Sequence, residues 1–260
     1  VVVVGGGPAG LAAAYEAAET AHVVLLEGQQ ELGGSAIMGD AVTAVPSAEL
    51  LARWDAAAGH ANPARTRFAL RVRPDVVDWL AGRGMKWKPV DDHLKDGSEL
   101  MRPDGGGRNL VGVLVRAIEE RKVEVRLGAW VERLERTRGL KVLVRGGEPV
   151  ECDAVVLATG GFAGNLERVR EKLGLGDLPL LREAGKFADG NGIGLATSMG
   201  GVEVEPADVL LYGHGVPAPE DPERAIMVVD AYHGFPVGAD GVYLPELQSP
   251  RGDSGLALME

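Results

Sequence analysis

The 260-residue chain has a single cysteine, Cys152. That excludes an intrachain disulfide, and it excludes a C-x-x-C zinc, iron–sulfur or c-type haem site within this sequence. No metal centre is expected. Long apolar runs are missing as well: none reaches the ~18 residues that a membrane-spanning helix requires. Positive charge is in deficit, with 27 Lys and Arg against 38 Asp and Glu and a net charge of −11. Such a balance argues against non-specific binding to nucleic acid or to an anionic membrane as the main role. Aromatic residues are only 5% of the chain. The start has no Met, no signal peptide and no leading coil, and the apolar run Val1–Val4 is too short for a signal segment. The expectation is a clipped or partial chain and, from what remains, a cytoplasmic one.

What is present is ordinary for a globular chain, with 45% hydrophobic and 25% charged residues. Four valines run directly into Gly5-Gly6-Gly7-Pro8-Ala9-Gly10 and then into an alanine-rich stretch. That is the order strand, tight turn, helix. In the pattern G-x-G-x-x-G, Gly5 serves the turn, Gly7 lets the backbone approach a pyrophosphate, and Gly10 lets the helix sit close on the strand. The helix start, at Pro8 and Ala9, would aim free N–H groups at the phosphates. A second apolar run, Val23–Leu26, reads as a parallel strand buried on both faces and ends at Glu27. A carboxylate there accepts from adenosine ribose hydroxyls and repels a 2′-phosphate, so FAD or NAD fits better than NADP. Gly33-Gly34-Ser35 follows and offers a second set of backbone N–H groups, which tilts the choice toward FAD.

Further along, residues 47–105 read as a helical insertion, with helical apolar spacing over Ala48–Ala58 and Pro74–Gly84 and breaks at Pro63, Pro74 and Pro89. Trp54, Trp79 and Trp87 read as core, and His60 and His93 as surface. A helix is expected over Asn109–Glu120, then short strands, with a hairpin turning at Gly146-Gly147. This antiparallel meander leads to the apolar strand Ala154–Leu157, which ends on the small residues Ala158-Thr159-Gly160-Gly161. A short helix is expected over Asn165–Leu173. Asp189-Gly190-Asn191-Gly192-Ile193 reads as a second glycine-rich helix start, or simply as a helix capped by Asp189 or Asn191. The pattern changes after Val202, so residues 1–203 are expected to form one domain and residues 204–260 the beginning of another.

Taken together, Gly5-x-Gly7-x-x-Gly10-x-x-x-Ala14, Glu27, Gly33-Gly34, Ala158–Phe162 and Asp189–Ile193 resemble the flavoprotein family of fumarate reductase, succinate dehydrogenase, urocanate reductase and 3-ketosteroid Δ1-dehydrogenase. Asp78-Trp79-Leu80-x-x-x-Gly84 is similar to that family too. The resemblance implies an α/β fold: a Rossmann-like FAD-binding domain with a helical insertion and a small antiparallel meander, followed by the start of a capping domain. It implies that the glycine turn and Glu27 hold the ADP half of FAD, that Gly33, Gly34 and Ser35 lie near the pyrophosphate and flavin, and that the Val131 backbone meets the adenine. Ala158, Thr159, Gly160 and Gly161 would close over the cofactor, and Asp189, Gly190, Gly192 and Ile193 would line its flavin side.

Met38-Gly39-Asp40 stands where family members often carry Ser-Gly-Gly or Ala-Gly-Gly, and no histidine there matches the one that carries covalent FAD in succinate dehydrogenase. Non-covalent FAD is therefore expected. The implied chemistry is hydride transfer between flavin N5 and a carbon next to a carbonyl, either enoate reduction or ketosteroid-type dehydrogenation. Candidate proton-transfer residues are Glu246, Arg251, Tyr212 and His214, with His233 a weaker one. Leu210–Gly215 departs from the Gln-x-His-Pro segment of fumarate reductases. With no haem or iron–sulfur site in this sequence, a separate electron carrier is expected. The competing readings are a non-catalytic or truncated flavin-binding module that docks a partner, and an NAD-dependent dehydrogenase.

Overall fold

The computed structural model describes residues 1–39, 43–45, 75–90, 99–177, 180–203 and 216–226. The chain divides into two compact units: Val1–Gly161 with Gly190–Glu205, and Phe162–Asp189 with Pro206–Glu260.

The first unit is built on a four-stranded parallel sheet. Strand β1 (Val2–Val4) leads through the glycine turn into helix α1 (Pro8–Ala17), and β2 (Val24–Leu26) returns beside β1. Strands β6 (Glu124–Arg126) and β10 (Val155–Leu157) complete the order β10-β1-β2-β6. Val2 is in register with both Val24 and Val155, and Val24 with Glu124.

Burial on both faces explains why β1 and β2 are wholly apolar. Val3 and Leu25 face one core, shared with Leu11 and Ala14 of α1 and with Val111, Leu114 and Ile118 of the helix Gly106–Glu120. Val2, Val4, Val24 and Leu26 face a second core, with Val131, Leu134, Val142 and Leu195. Helices therefore cover one face. The other face is covered mainly by an antiparallel meander of β7 (Val131–Arg136), β8 (Leu140–Val144) and β9 (Val150–Cys152), together with the helix Asn191–Ser198. The expected hairpin is present, with Lys141 opposite Glu151. Burying a side chain such as Leu25, which is fully enclosed, is worth about 1.5–3 kcal/mol.

The insertion is only partly helical. Residues 75–81 form a helix, as the spacing predicts. Trp87–Pro89 and Glu99–Pro103, inside the same expected helical region, are instead strands β4 and β5, and Thr43–Val45 (β3) joins them in an antiparallel sheet of order β3-β5-β4. β4 and β5, three and five residues long and each ending on a proline, show too short a period to read. Trp79 and Trp87 pack against the first core as expected. Arg83 is stacked 3.6 Å from the Trp79 ring centre and 4.4 Å from that of Tyr15, which pins the 75–81 helix to α1. Trp54, His60 and His93 lie outside the described residues.

In the second unit, the helix Leu166–Leu173 starts where Asn165 accepts the Arg168 N–H at 3.0 Å and stops at Gly174. A hairpin of β11 (Val216–Ala218) and β12 (Asp221–Ile226) is held to the Arg182 strand segment by Arg182 N–H to Glu223 carbonyl and Ala225 N–H to Arg182 carbonyl. The Arg182 side chain is buried and pairs with Asp221 and, at 3.4 Å, with Glu223. Burial pushes the Asp221 carboxyl up, but its hydrogen bonds from Arg182 and the Glu223 N–H, helped by the charges of Arg182 and Lys186, leave it below the ordinary carboxylate range.

Candidate cofactor site

The strand order changes side at β1: β2 lies on one side of it and β10, which follows about 150 residues later, on the other. In open parallel sheets such a switch point leaves a crevice beyond the carboxyl ends of the strands, where nucleotides bind. The glycine segments gather there. Gly5 takes φ +105° and donates its N–H to the Leu26 carbonyl at 2.8 Å. A Cβ on Gly5 would overlap the Ala158 carbonyl, and one on Gly10 would overlap the Gly5 carbonyl. Gly33, with φ +127°, donates its N–H to the Gly6 carbonyl at 2.8 Å. Gly34 lies close enough to the turn that its Cβ would be 3.4 Å from Gly7 Cα. On the far side, a Cβ on Gly192 would overlap the Thr159 hydroxyl, and the Gly190 N–H donates to the Gly161 carbonyl at 3.1 Å.

Three glycines behave differently. A Cβ on Gly7 would come no nearer than 4.0 Å to any neighbouring atom, and at Gly160 and Gly161 nothing lies within 4 Å. At Gly7 and Gly161 neither packing nor a left-handed backbone requires a glycine. The space in front of them is what a closely approaching ligand needs, so these residues fit a pyrophosphate-bearing group. Pro8 sits in the first turn of α1, which has no side-chain cap, and Ala9 is exposed. The N–H groups there are available to phosphate oxygens. Ser35 is exposed in the short 3-10 turn Gly34–Met38.

Glu27 is 8% exposed. One carboxylate oxygen accepts the Gly6 N–H at 2.6 Å and the other the Gln29 N–H at 2.7 Å. The side chain thus fixes the glycine turn, and each oxygen has a further lone pair to offer a hydroxyl. Val131 is buried, and its carbonyl accepts from Asn191 Nδ2 at 2.9 Å. That bond ties the start of the Asn191–Ser198 helix to β7 across 60 residues of sequence. Gly190, in a left-handed conformation, is the N-cap of this helix, without a side-chain cap, so neither Asp189 nor Asn191 plays that part. Ile193 is half-buried in its first turn. Asp189 belongs to the second unit, where its carbonyl accepts from Asn165 Nδ2 at 3.4 Å.

The first unit therefore brings together Gly5, Gly7, Gly10, Glu27, Gly33, Gly34, Ala158, Thr159, Gly160, Gly161, Gly190 and Gly192, with Val131 joined through Asn191. Sequence reasoning took Asn191 as part of the glycine-rich helix start or as a cap and missed its bond to Val131, which has no local signal. It also passed over the Trp130 side chain, which covers Gly28. Tyr212, His214, His233, Glu246 and Arg251 lie outside the described residues. Among the described residues there is no cluster of His, Cys, Asp or Glu that could hold a metal ion, and no helix long and apolar enough to cross a membrane.

Residues 1–213 match the family model described as FAD binding domain. The chain belongs to that family. FAD is thus the cofactor. A fumarate reductase (cytochrome) from Shewanella frigidimarina is 32% identical over 198 residues, covering 65% of this chain and 34% of its own length. The chain thus spans about a third of that relative. An open-conformation structure of a flavocytochrome c3 fumarate reductase superposes with a TM-score of 0.75 at 21% identity, over 100% of this chain and 50% of that one. The 3-ketosteroid Δ1-dehydrogenase of Sterolibacterium denitrificans gives 0.69 at 17% identity, over 89% and 60%. At these identities the two structures establish the shared fold. The α/β architecture expected from the valine–glycine opening is the one observed.

Beyond the Gly34–Met38 turn lies an open cavity of about 440 Å³, floored by Ile37–Gly39 and walled by Lys88 and Arg102–Arg108. Three cations, Lys88, Arg102 and Arg108, face it with one carboxylate, Asp104. Lys88 bonds Asp104 at 2.6 Å, and that hydrogen bond holds the Asp104 carboxyl below its ordinary range.

Proposed function

We propose that this chain is the cofactor-binding part of an FAD-dependent oxidoreductase that acts on a carbon–carbon bond beside a carbonyl. The observation that carries the reading is the open space before Gly7 and Gly161, at the switch point of a parallel sheet, in a family named for FAD. When bound, the flavin supplies hydride transfer. The residues of this chain bind and orient it. Glu27 holds the ribose hydroxyls. Gly7, Pro8, Ala9 and Gly10 receive the pyrophosphate. Gly33, Gly34 and Ser35 follow its course toward the flavin, and Ala158–Gly161 close over it. Asp189, Gly190, Gly192 and Ile193 line the flavin side, and the Val131 backbone meets the adenine. Retention is non-covalent.

Residues 1–203 form the FAD domain and 204–260 begin the cap. Within that cap Glu246 and Arg251, or Tyr212 and His214, move the proton at the carbon next to the one that exchanges hydride. Electrons pass to or from a separate carrier, in keeping with the cytochrome named in the Shewanella relative. The site of action is the cytoplasm.

The test is direct. Purified protein, stripped of free flavin, should show a flavin absorption spectrum or take it up on addition of FAD, and acid precipitation should release all of it to the supernatant. A protein that stays colourless with added FAD refutes the reading. Flavin retained in the pellet refutes non-covalent binding. A dye-linked panel of unsaturated acids and 3-ketosteroids, run on a chain extended through the cap, decides the substrate class.

A further inference from the structure

The segment that carries Trp130 is tied by backbone hydrogen bonds to the loop after Glu27. The Ala129 N–H donates to the Glu27 carbonyl and the Gly128 N–H to the Gln29 carbonyl, both at 2.8 Å, so residues 128–130 run alongside residues 27–29. The Trp130 carbonyl is in turn held by the Arg145 N–H at 2.8 Å. The indole lies over Gly28, where a Cβ would come within 2.7 Å of its Cε3 and 3.3 Å of its Cζ3. Gly28 therefore stays side-chain-free because this ring occupies the place its Cβ would take. Trp130 as a whole is partly buried, and the Arg145 guanidinium, paired with Glu132 at 2.7 Å, stands over its ring, 5.5 Å from the centre.

A large aromatic side chain left partly exposed, on a segment fixed by three backbone hydrogen bonds, is a costly way to fill space. It is a good way to receive a flat base. The ribose whose hydroxyls bind Glu27 carries its base on the adjoining carbon, within a few ångströms of that carboxylate. We propose that Trp130 is the stacking wall for the adenine of the bound dinucleotide, with Gly28 as the gap that lets it take that place. This rests on the FAD reading above and adds to it a residue that determines affinity at the adenine end. Stacking of a base on an aromatic side chain is sequence-tolerant and strong enough to be read in a single variant.

ADP is the probe, because it has the adenine and pyrophosphate but no flavin to absorb tryptophan emission. ADP should quench the emission of the parent chain. Trp130→Phe should bind ADP within about twofold of the parent and lose the quench, and Trp130→Ala should weaken ADP by about tenfold in a calorimetric titration. A quench that persists in Trp130→Phe overturns the proposal, since it then comes from another tryptophan. Unchanged ADP affinity in a folded Trp130→Ala that still binds FAD overturns it as well, and leaves the FAD reading standing. Where Trp130→Ala does not fold, the quench in Trp130→Phe decides alone. A parent chain that takes up neither ADP nor FAD refutes both readings.

Discussion

The underside and the rim of the glycine strip use the same residue for opposite reasons. On the underside, Gly5, Gly10 and Gly192 are closed off by Ala158, Gly5 and Thr159 of the protein itself. On the rim, Gly7 and Gly161 face open space. One motif thus serves two functions, and only the rim reports on a ligand. A G-x-G-x-x-G pattern whose every glycine was closed by packing would be a turn and nothing more.

The contrast can be tested by substitution. Gly10→Ala should have the largest effect on the fold, because the new methyl would overlap backbone that cannot rotate away. A loss of about 3 kcal/mol or more is expected in urea unfolding, with FAD binding lost as a consequence. Glu27→Gln should come next. The amide NH2 of glutamine meets one of the two N–H groups that the carboxylate now satisfies, at a cost of about 1–3 kcal/mol, measured in the same way. Gly7→Ala should reverse the pattern: stability within about 0.5 kcal/mol of the parent and FAD affinity reduced at least about tenfold, read by flavin titration. A Gly7→Ala protein that unfolds, or one that binds FAD normally, would break the distinction between underside and rim. The smallest effect is expected away from the strip. The folded-state carboxyl of Asp221 titrates below its unfolded value, so its contribution is complete above the unfolded range and is lost as pH falls through the folded one. Asp221→Asn should flatten that acid-side loss in a thermal melt series across acidic pH, and an unchanged profile would remove Asp221 from the account.

Much of this was open to inspection in the sequence. Val2–Val4 and Val24–Leu26 are apolar without alternation, which only two-sided burial rewards, and the turn between β8 and β9 is written in Gly146-Gly147. Glu27 was legible as a charge at a strand end. Its double bond to Gly6 and Gln29 was not, because the same letter serves a carboxylate aimed at water. Asn191 and Val131 are 60 residues apart, and no local period links them. Strands β4 and β5 escaped because three to five residues bounded by proline leave too little alternation to count. Gly28 carries no signal of its own, since the ring that demands it is contributed by Trp130.

The place of β1 in the middle of the sheet also has a consequence for synthesis. Its neighbours on either side are separated from it by about 22 and 153 residues, as the pairing of Val2 with Val24 and with Val155 shows. A growing chain can satisfy one edge of β1 almost at once. The other edge stays exposed until β10 has left the ribosome, and at 5–20 residues per second that is an interval on the order of ten seconds. During that interval an apolar strand with free hydrogen-bonding groups is available to any other extended segment. Fragments ending before Asp153 should therefore be more aggregation-prone in translation than those ending after Ala158, although the two differ by only a few residues.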